Sequence, residues 1–283
     1  MNKKKTDSPG GSRGVFRTGA ILLTLFLALV LCGCQNPFLL EDVEPEPEQP
    51  AAQDETPASP QSGEGVAESS GEEDLTGFTI CLDPGHGITS ESKQEAVSPL
   101  SSETKPAYVS GAVGNSQTEE ELNLAVAKKL KMKLEAKGAS VIMTRTTHEA
   151  AVSNIERAEM ANEAGADLCV RIHADGSENP NIHGVSVLVP AGSLLAAPEI
   201  TGPSRAAAQS VHDAMIRATG AEDHGLVERT DLTGFNWSKV PVILVEMGFL
   251  SNAEEDAKMA TDAYRETLAE GMYRGIRDWL LTK

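Results

Sequence analysis

The chain has 283 residues, 40% of them hydrophobic, which suits one ordinary domain with a core plus extra segments and not two large domains. The formal net charge of -18 speaks against nucleic acid as a partner, since a phosphate backbone is held by an excess of Lys and Arg. Of the four cysteines, Cys32 and Cys34 lie close to the N-terminus, and the two that remain, Cys81 and Cys169, are too few for a disulfide framework.

Residues 1–34 read as a targeting segment outside the fold. Lys3, Lys4, Lys5, Arg13 and Arg17 form a basic stretch, and an apolar run from Ala20 to Leu31 follows, interrupted only by Thr24. It ends in Leu31-Cys32-Gly33-Cys34, which resembles a bacterial lipobox with Cys34 as the acylated new N-terminus. The competing readings are a plain signal anchor or a secreted protein cut nearby. Two or more acyl chains on Cys34 would give stable membrane anchoring. Residues 35–76 carry about a dozen acidic residues and no Lys or Arg, with Pro, Ser, Gly and Gln throughout. Such a composition buries too little apolar surface to offset chain entropy, so the segment is expected to be a disordered tether.

Residues 77–283 alternate strand and helix signals, which predicts a single α/β domain with a mostly parallel central sheet flanked by helices. Phe78 to Leu82 is a short apolar strand stopping at Asp83-Pro84-Gly85. Residues 87–118 fit neither period and read as a long, functional or mobile loop. Leu122, Val126, Leu130 and Leu134 recur every fourth residue, the stripe of an amphipathic helix that ends at Gly138. Ser140 to Met143 follows as a strand. Ser153 and Glu156 have capping-box spacing for a helix to about Gly165. Strands are predicted at Asp167 to Ile172 and Gly184 to Val189, and a helix at Ser204 to Ala218. Val240 to Val245 is the most apolar strand and therefore central. Two helical stretches, near 253–260 and 262–280, close the chain. Cys81 and Cys169 sit in strand-like runs, as buried thiols or as a bridged pair.

Four polar residues stand where strands end or a helix begins: His86, Glu119, His173 and Glu246. In an open parallel sheet the carboxyl ends of the strands line the ligand crevice. Two His and one Glu make a three-ligand set for zinc with one position open to water. A carboxylate beside that water suits a general base. Each residue alone also has a plain reading: a surface or core His, a Glu favoured by the helix dipole, or a strand-end acid paired with Lys.

Larger blocks carry a resemblance. Leu82-Asp83-Pro84-Gly85-His86-Gly87, Glu119 to Ala125, Ser153 to Ala158, Arg171-Ile172-His173-Ala174-Asp175 and Pro241 to Asn252 are similar, in order, to the signature segments of the zinc-dependent N-acetylmuramoyl-L-alanine amidases (amidase-3 family). The resemblance covers about 77–281. It implies a zinc cofactor held by His86, Glu119 and His173, and Glu246 as the catalytic carboxylate. The implied substrate is peptidoglycan, cut at the amide between N-acetylmuramic acid and L-alanine during wall remodelling. A lipid-anchored, extracytoplasmic monomer facing the wall is expected.

The sequence departs from the family in placing Ile88 after His86-Gly87 and more than thirty residues before Glu119. That insertion makes Glu120 and Glu121 rivals of Glu119, which is preferred for standing four residues before Asn123. Asp83 could orient His86 or cap its turn. Asn236 and Trp237, in a Gly- and Thr-flanked loop, are candidates for substrate contact or for the core. His148, His183, His212 and His224 are expected to be solvated, and Arg145 and Arg157 to form structural salt bridges. Two competing functions stay open: another zinc peptidase or amidase cutting the stem peptide, and a catalytically silent lipoprotein that binds wall or activates a partner.

Overall fold

The computed structural model describes residues 74–283; the expected leader with Cys34 and nearly all of the tether lie outside the described residues. In chain order the elements are β1 (Thr79–Pro84), β2 (Gln94–Ala96), β3 (Thr104–Pro106), α1 (Glu119–Glu135), β4 (Ser140–Met143), α2 (Asn154–Glu163), β5 (Leu168–Asp175), β6 (Val185–Pro190), α3 (Thr201–Thr219), β7 (Asp223–Arg229), α4 (Thr233–Asn236), β8 (Val242–Phe249), α5 (Ala253–Met259) and α6 (Asp262–Leu280).

Six strands form one sheet in the order β4, β1, β5, β8, β6, β7. The pairs β1 with β4, β1 with β5, β5 with β8, and β6 with β7 are parallel, and β6 runs antiparallel to β8. This is the predicted mostly parallel α/β sheet. The carboxyl ends of β1, β5 and β8 therefore meet at one edge.

Side chains alternate between the faces of a strand, and here the two faces differ in kind. Ile80, Leu82, Val170, Ile172, Ile243 and Val245 point into the larger core, against the apolar stripes of α1, α3 and α6. Cys81, Cys169, Val242 and Leu244 point into a smaller core closed by Ala161 of α2 and Phe235 of α4. Continuing that second alternation along each strand gives Asp83, then Arg171 and His173, then Glu246. These strand residues thus share the face covered by the ten-residue α2, the four-residue α4 and the buried Leu195, Ala197 and Ile200. Phe235 is fully buried there, and truncating such a ring to Ala costs about 3–5 kcal/mol.

Four details differ from expectation. Leu75, on the tether side of the expected boundary, is fully buried in the core, and its N–H bonds Lys137 O at 2.7 Å. Residues 87–118 contain the small antiparallel hairpin β2 and β3. The strand β7 escapes a search for apolar alternation because it is an edge strand with a largely exposed, polar sequence. Strand β8 continues beyond Val245 to Phe249, so Glu246 lies within it. Cys81 and Cys169 face each other across the β1 and β5 register as free, buried thiols.

Candidate metal centre

The site begins where β1 stops. After Asp83-Pro84 the chain turns through Gly85 to His86, whose φ of 60° is left-handed and uncommon for a non-glycine residue. Gly85 is required by a close approach: a Cβ there would lie 2.2 Å from the His173 ring. The turn is held from behind. Arg157 Nη2 donates to His86 O at 2.6 Å and its Nη1 to Pro84 O at 2.9 Å. Arg145 donates to Pro84 O at 2.9 Å, to Gly85 O at 2.8 Å and to Glu120 O at 2.7 Å, tying the turn to the start of α1.

Asp83 underlies this scaffold. Its buried carboxylate accepts from Thr144 Oγ1 at 2.6 Å, Arg157 Nη1 at 2.6 Å and Arg171 Nε at 2.8 Å. Burial opposes its charge, but Arg157 and Arg171 outweigh burial and hold the carboxyl far below the usual range. Asp83 reaches His86 only through Arg157. Arg145 binds carbonyls rather than forming the expected ion pair, whereas Arg157 pairs with Asp83.

His86, Glu119 and His173 converge, each offering one ligand atom with all three atoms within 4.8 Å of one another. His86 Nε2 stands 3.1 Å and His173 Nδ1 2.9 Å from Glu119 Oε1. The two rings meet edge-on, with centroids 4.9 Å apart. Glu119 is the first residue of α1 and buried, and Asn123, one turn on, donates to its Oε1 at 3.2 Å and to Gly85 O at 3.4 Å. The rival Glu121 is exposed and turns back to the Thr118 N–H at 3.2 Å.

These residues fit a cation. His86 Nδ1 lies 2.7 Å from Val109 O, a group that can only accept, so Nδ1 carries the hydrogen. In the neutral ring, Nε2 then aims a lone pair at a carboxylate oxygen, an arrangement that a shared cation relieves. His173 Nε2 is buried without a partner. Burial pulls His173 below its ordinary value, which keeps the imidazole neutral as metal ligation requires. For His86 burial works the same way, but hydrogen bonding and charge from Glu119 outweigh it and raise the value. Burial would raise Glu119, yet the imidazoles of His173 and His86, at 2.9 Å and 3.1 Å, hold its carboxyl well below the usual range.

Glu246 stands opposite His173 in the β5 and β8 register, on the same face. Its Oε2 is buried with no partner. Burial first, then the charges of Glu119 and Asp175, push its carboxyl well above the usual value. A bound dication reverses that balance. A cavity of about 60 Å³ lined by His86, His173, Asn154 and Arg157 opens beside these groups, and a larger groove of about 400 Å³ lies along Tyr108, Val109 and Glu120.

Asn236 and Trp237 are not at this centre. Asn236 is fully buried and donates from Nδ2 to Val97 O at 3.0 Å, and Trp237 Nε1 donates to Ala96 O at 3.0 Å. Both brace the inserted segment, which leaves no polar group of Trp237 free for sugar or peptide. His212 is buried and pairs with Asp223 at 2.8 Å, contrary to the expected solvated role. Among the described residues none of the four remaining histidines joins a metal-ligating group. Sequence reasoning did not single out Glu95 or Asn154. The Glu95 carboxylate accepts from Asn154 Nδ2 at 2.9 Å and Ile155 N at 3.1 Å, while Asn154 Oδ1 accepts from Arg171 at 2.8 Å. Glu95 sits in a charged, loop-like stretch, and nothing local announces a buried acid.

Comparison with known proteins gives the same direction. Residues 80–278 match the family model described as N-acetylmuramoyl-L-alanine amidase (Amidase_3). The N-acetylmuramoyl-L-alanine amidase LytC of Bacillus subtilis is 28% identical over 201 residues, covering 71% of this chain and 35% of LytC, so the chain spans about a third of that relative. The N-acetylmuramoyl-L-alanine amidase Rv3717 of Mycobacterium tuberculosis is 28% identical over 214 residues, covering 74% of this chain and 89% of Rv3717. The crystal structure of the amidase Ami1 from Mycobacterium smegmatis superposes with a TM-score of 0.68 at 29% identity, over 74% of this chain and 100% of that one. With a family model matching well over half its length, the chain belongs to the Amidase_3 family of N-acetylmuramoyl-L-alanine amidases.

Proposed function

We propose that this protein is a zinc-dependent hydrolase of the amide between N-acetylmuramic acid and L-alanine in peptidoglycan, acting in wall remodelling. Membership of the family supports the reaction class. The observation that carries the zinc reading is the convergence of His86, Glu119 and His173 beside the unpartnered Oε2 of Glu246. In this reading those three residues hold the zinc ion, leaving a fourth position open. Zinc bound there would supply a Lewis acid for the amide carbonyl and a water of lowered pKa.

The chain's own groups do the rest. Glu246 takes a proton from the attacking water onto its carboxylate and returns it to the departing alanine nitrogen, so that the C–N bond breaks to a neutral amine. The fixed Asp83, Arg157 and His86 chain keeps the first ligand from swinging. The acidic sequence before residue 74 and the lipobox-like Cys34 support a lipid-anchored, extracytoplasmic enzyme, working as a monomer with peptidoglycan as its partner. No described helix is long and apolar enough to cross a membrane.

Digestion of purified sacculi, followed by mass analysis of the products, tests the bond. Intact stem peptides released from glycan bearing free lactyl groups support the proposal. Stems cut internally, with the lactyl amide intact, would replace it with a stem-peptide hydrolase.

A further inference from the structure

The inserted segment before α1 has the look of a lid in the sequence, and its contacts say otherwise. Its first half is fastened on one side of the centre: Trp237 and Asn236 hold Ala96 O and Val97 O at 3.0 Å each, and Ser98 Oγ donates to Leu194 O at 2.6 Å. Its end is fastened elsewhere, where Asp256 Oδ2 accepts from Ser116 N at 2.8 Å and Arg265 Nη2 donates to Gln117 Oε1 at 2.6 Å. Between the two anchorages the backbone of residues 109–112 runs directly over the ligands. Val109 O takes the His86 Nδ1 hydrogen at 2.7 Å, and the Ala112 N–H donates to Glu119 Oε2 at 2.7 Å. The intervening Gly111 leaves no slack: a Cβ there would lie 2.6 Å from Glu119 Oε2, 2.7 Å from Glu119 Cβ and 3.0 Å from His86 Cδ2.

We infer that residues 109–112 are a fixed strap that completes the metal centre from outside, with Val109 O and the Ala112 N–H as positioning groups for His86 and Glu119. The inference rests on the zinc reading above. The Val109 carbonyl selects the ring tautomer in which Nε2 is the ligand atom. The Ala112 N–H occupies one carboxylate oxygen and so leaves Oε1 for the cation. Partners of this kind typically contribute 10- to 100-fold in metal affinity. Because they are backbone groups of the insertion, the ligands of this chain depend on a segment that the sequence presents as an accessory.

The test is zinc affinity, measured by equilibrium competition with a chromogenic chelator for the full chain and for Gly111→Ala. The inference expects binding weakened by about 10- to 100-fold. It also expects an altered visible absorption spectrum for the cobalt-substituted form. The melting temperature of the metal-free protein reports separately whether the variant is folded. Unchanged zinc affinity and an unchanged cobalt spectrum in Gly111→Ala would overturn the strap. Hydrogen exchange on the unaltered protein gives a second readout that needs no variant. The Ala112 amide should be protected even without zinc, and rapid exchange across 109–112 with and without zinc would make the segment a lid after all. If the unaltered chain takes up no zinc, the ligand reading itself falls; if it binds and Gly111→Ala binds equally well, the strap alone falls.

Discussion

At the scale of single residues, two carboxylates on one face of the sheet illustrate opposite electrostatic solutions. Asp83 is buried but met by two guanidinium groups, so its charge is held. Glu246 is buried with other acids nearby and no partner on Oε2, so burial and those charges oppose its ionisation. Glu246→Gln is therefore expected to keep zinc at full stoichiometry while kcat on sacculi falls by about 10²- to 10⁴-fold, the usual worth of a positioned general base. Near-normal turnover in that variant would remove Glu246 from the chemistry. Asp83→Asn should act on stability instead. It leaves Arg157 and Arg171 as uncompensated buried cations, at a cost of about 3–5 kcal/mol. The pH dependence has a definite sign. A carboxyl whose folded value is depressed contributes stability above its unfolded value, near pH 4, and that contribution is lost progressively as pH falls below it. Denaturant titrations should thus show a stability loss below about pH 4 that is shallower in Asp83→Asn. Equally steep acid limbs in both proteins would count against the ion-paired account of Asp83.

At the scale of elements, the three candidate ligands come from the turn after β1, the first residue of α1 and the body of β5. A cation shared among them ties three separately placed pieces, so it should stabilise the folded state by mass action. Zinc at a hundred times its Kd is expected to add about 2.7 kcal/mol, and the melting temperature should rise by roughly 5–10 °C. The rise should vanish in His173→Ala and on chelation; a zinc-dependent shift that survives His173→Ala would place the metal elsewhere. The same elements show what can be read from sequence and why. Helix α1 is legible because Leu122, Val126, Leu130 and Leu134 draw its buried stripe, and β8 because its run is apolar on both faces. The alternation that sends Cys81 into the small core also sends Asp83 there, and the same parity puts Arg171, His173 and Glu246 on that face, whereas His86 comes from the turn after β1 and Glu119 from the start of α1. Edge strand β7 has no such pattern to betray it. The roles of Asn236 and Trp237 are illegible for a different reason. They depend on where β2 and the two residues after it land, about 140 positions earlier in the chain, and no local period encodes a contact of that range. Glu119 rather than Glu121 meets the histidines because Glu119 shares with Asn123, one turn on, the face of α1 that meets the turn at Gly85, a geometric fact that three consecutive glutamates conceal.

At the scale of the whole molecule, the proposed function raises the question of how the domain would be kept near a polymer substrate. The charge is concentrated before the domain, where residues 35–73 are rich in Glu and Pro and lack Lys and Arg. If Cys34 carries two or more acyl chains, at about 0.8 kcal/mol per buried methylene, that attachment is effectively permanent on the timescale of wall growth. Cys34→Ser separates this from a plain signal anchor, because both retain the same apolar run before the cysteine. Detergent phase partitioning of the full chain, expressed in an envelope that processes lipoproteins, should recover the unaltered protein in the detergent phase. The variant should not be acylated at that position and, once cleaved, should move to the aqueous phase with its activity on soluble muropeptides intact. A Cys34→Ser protein that stays in the detergent phase at the size of the unaltered chain would show that the apolar segment, and not a lipid, holds the enzyme at the membrane.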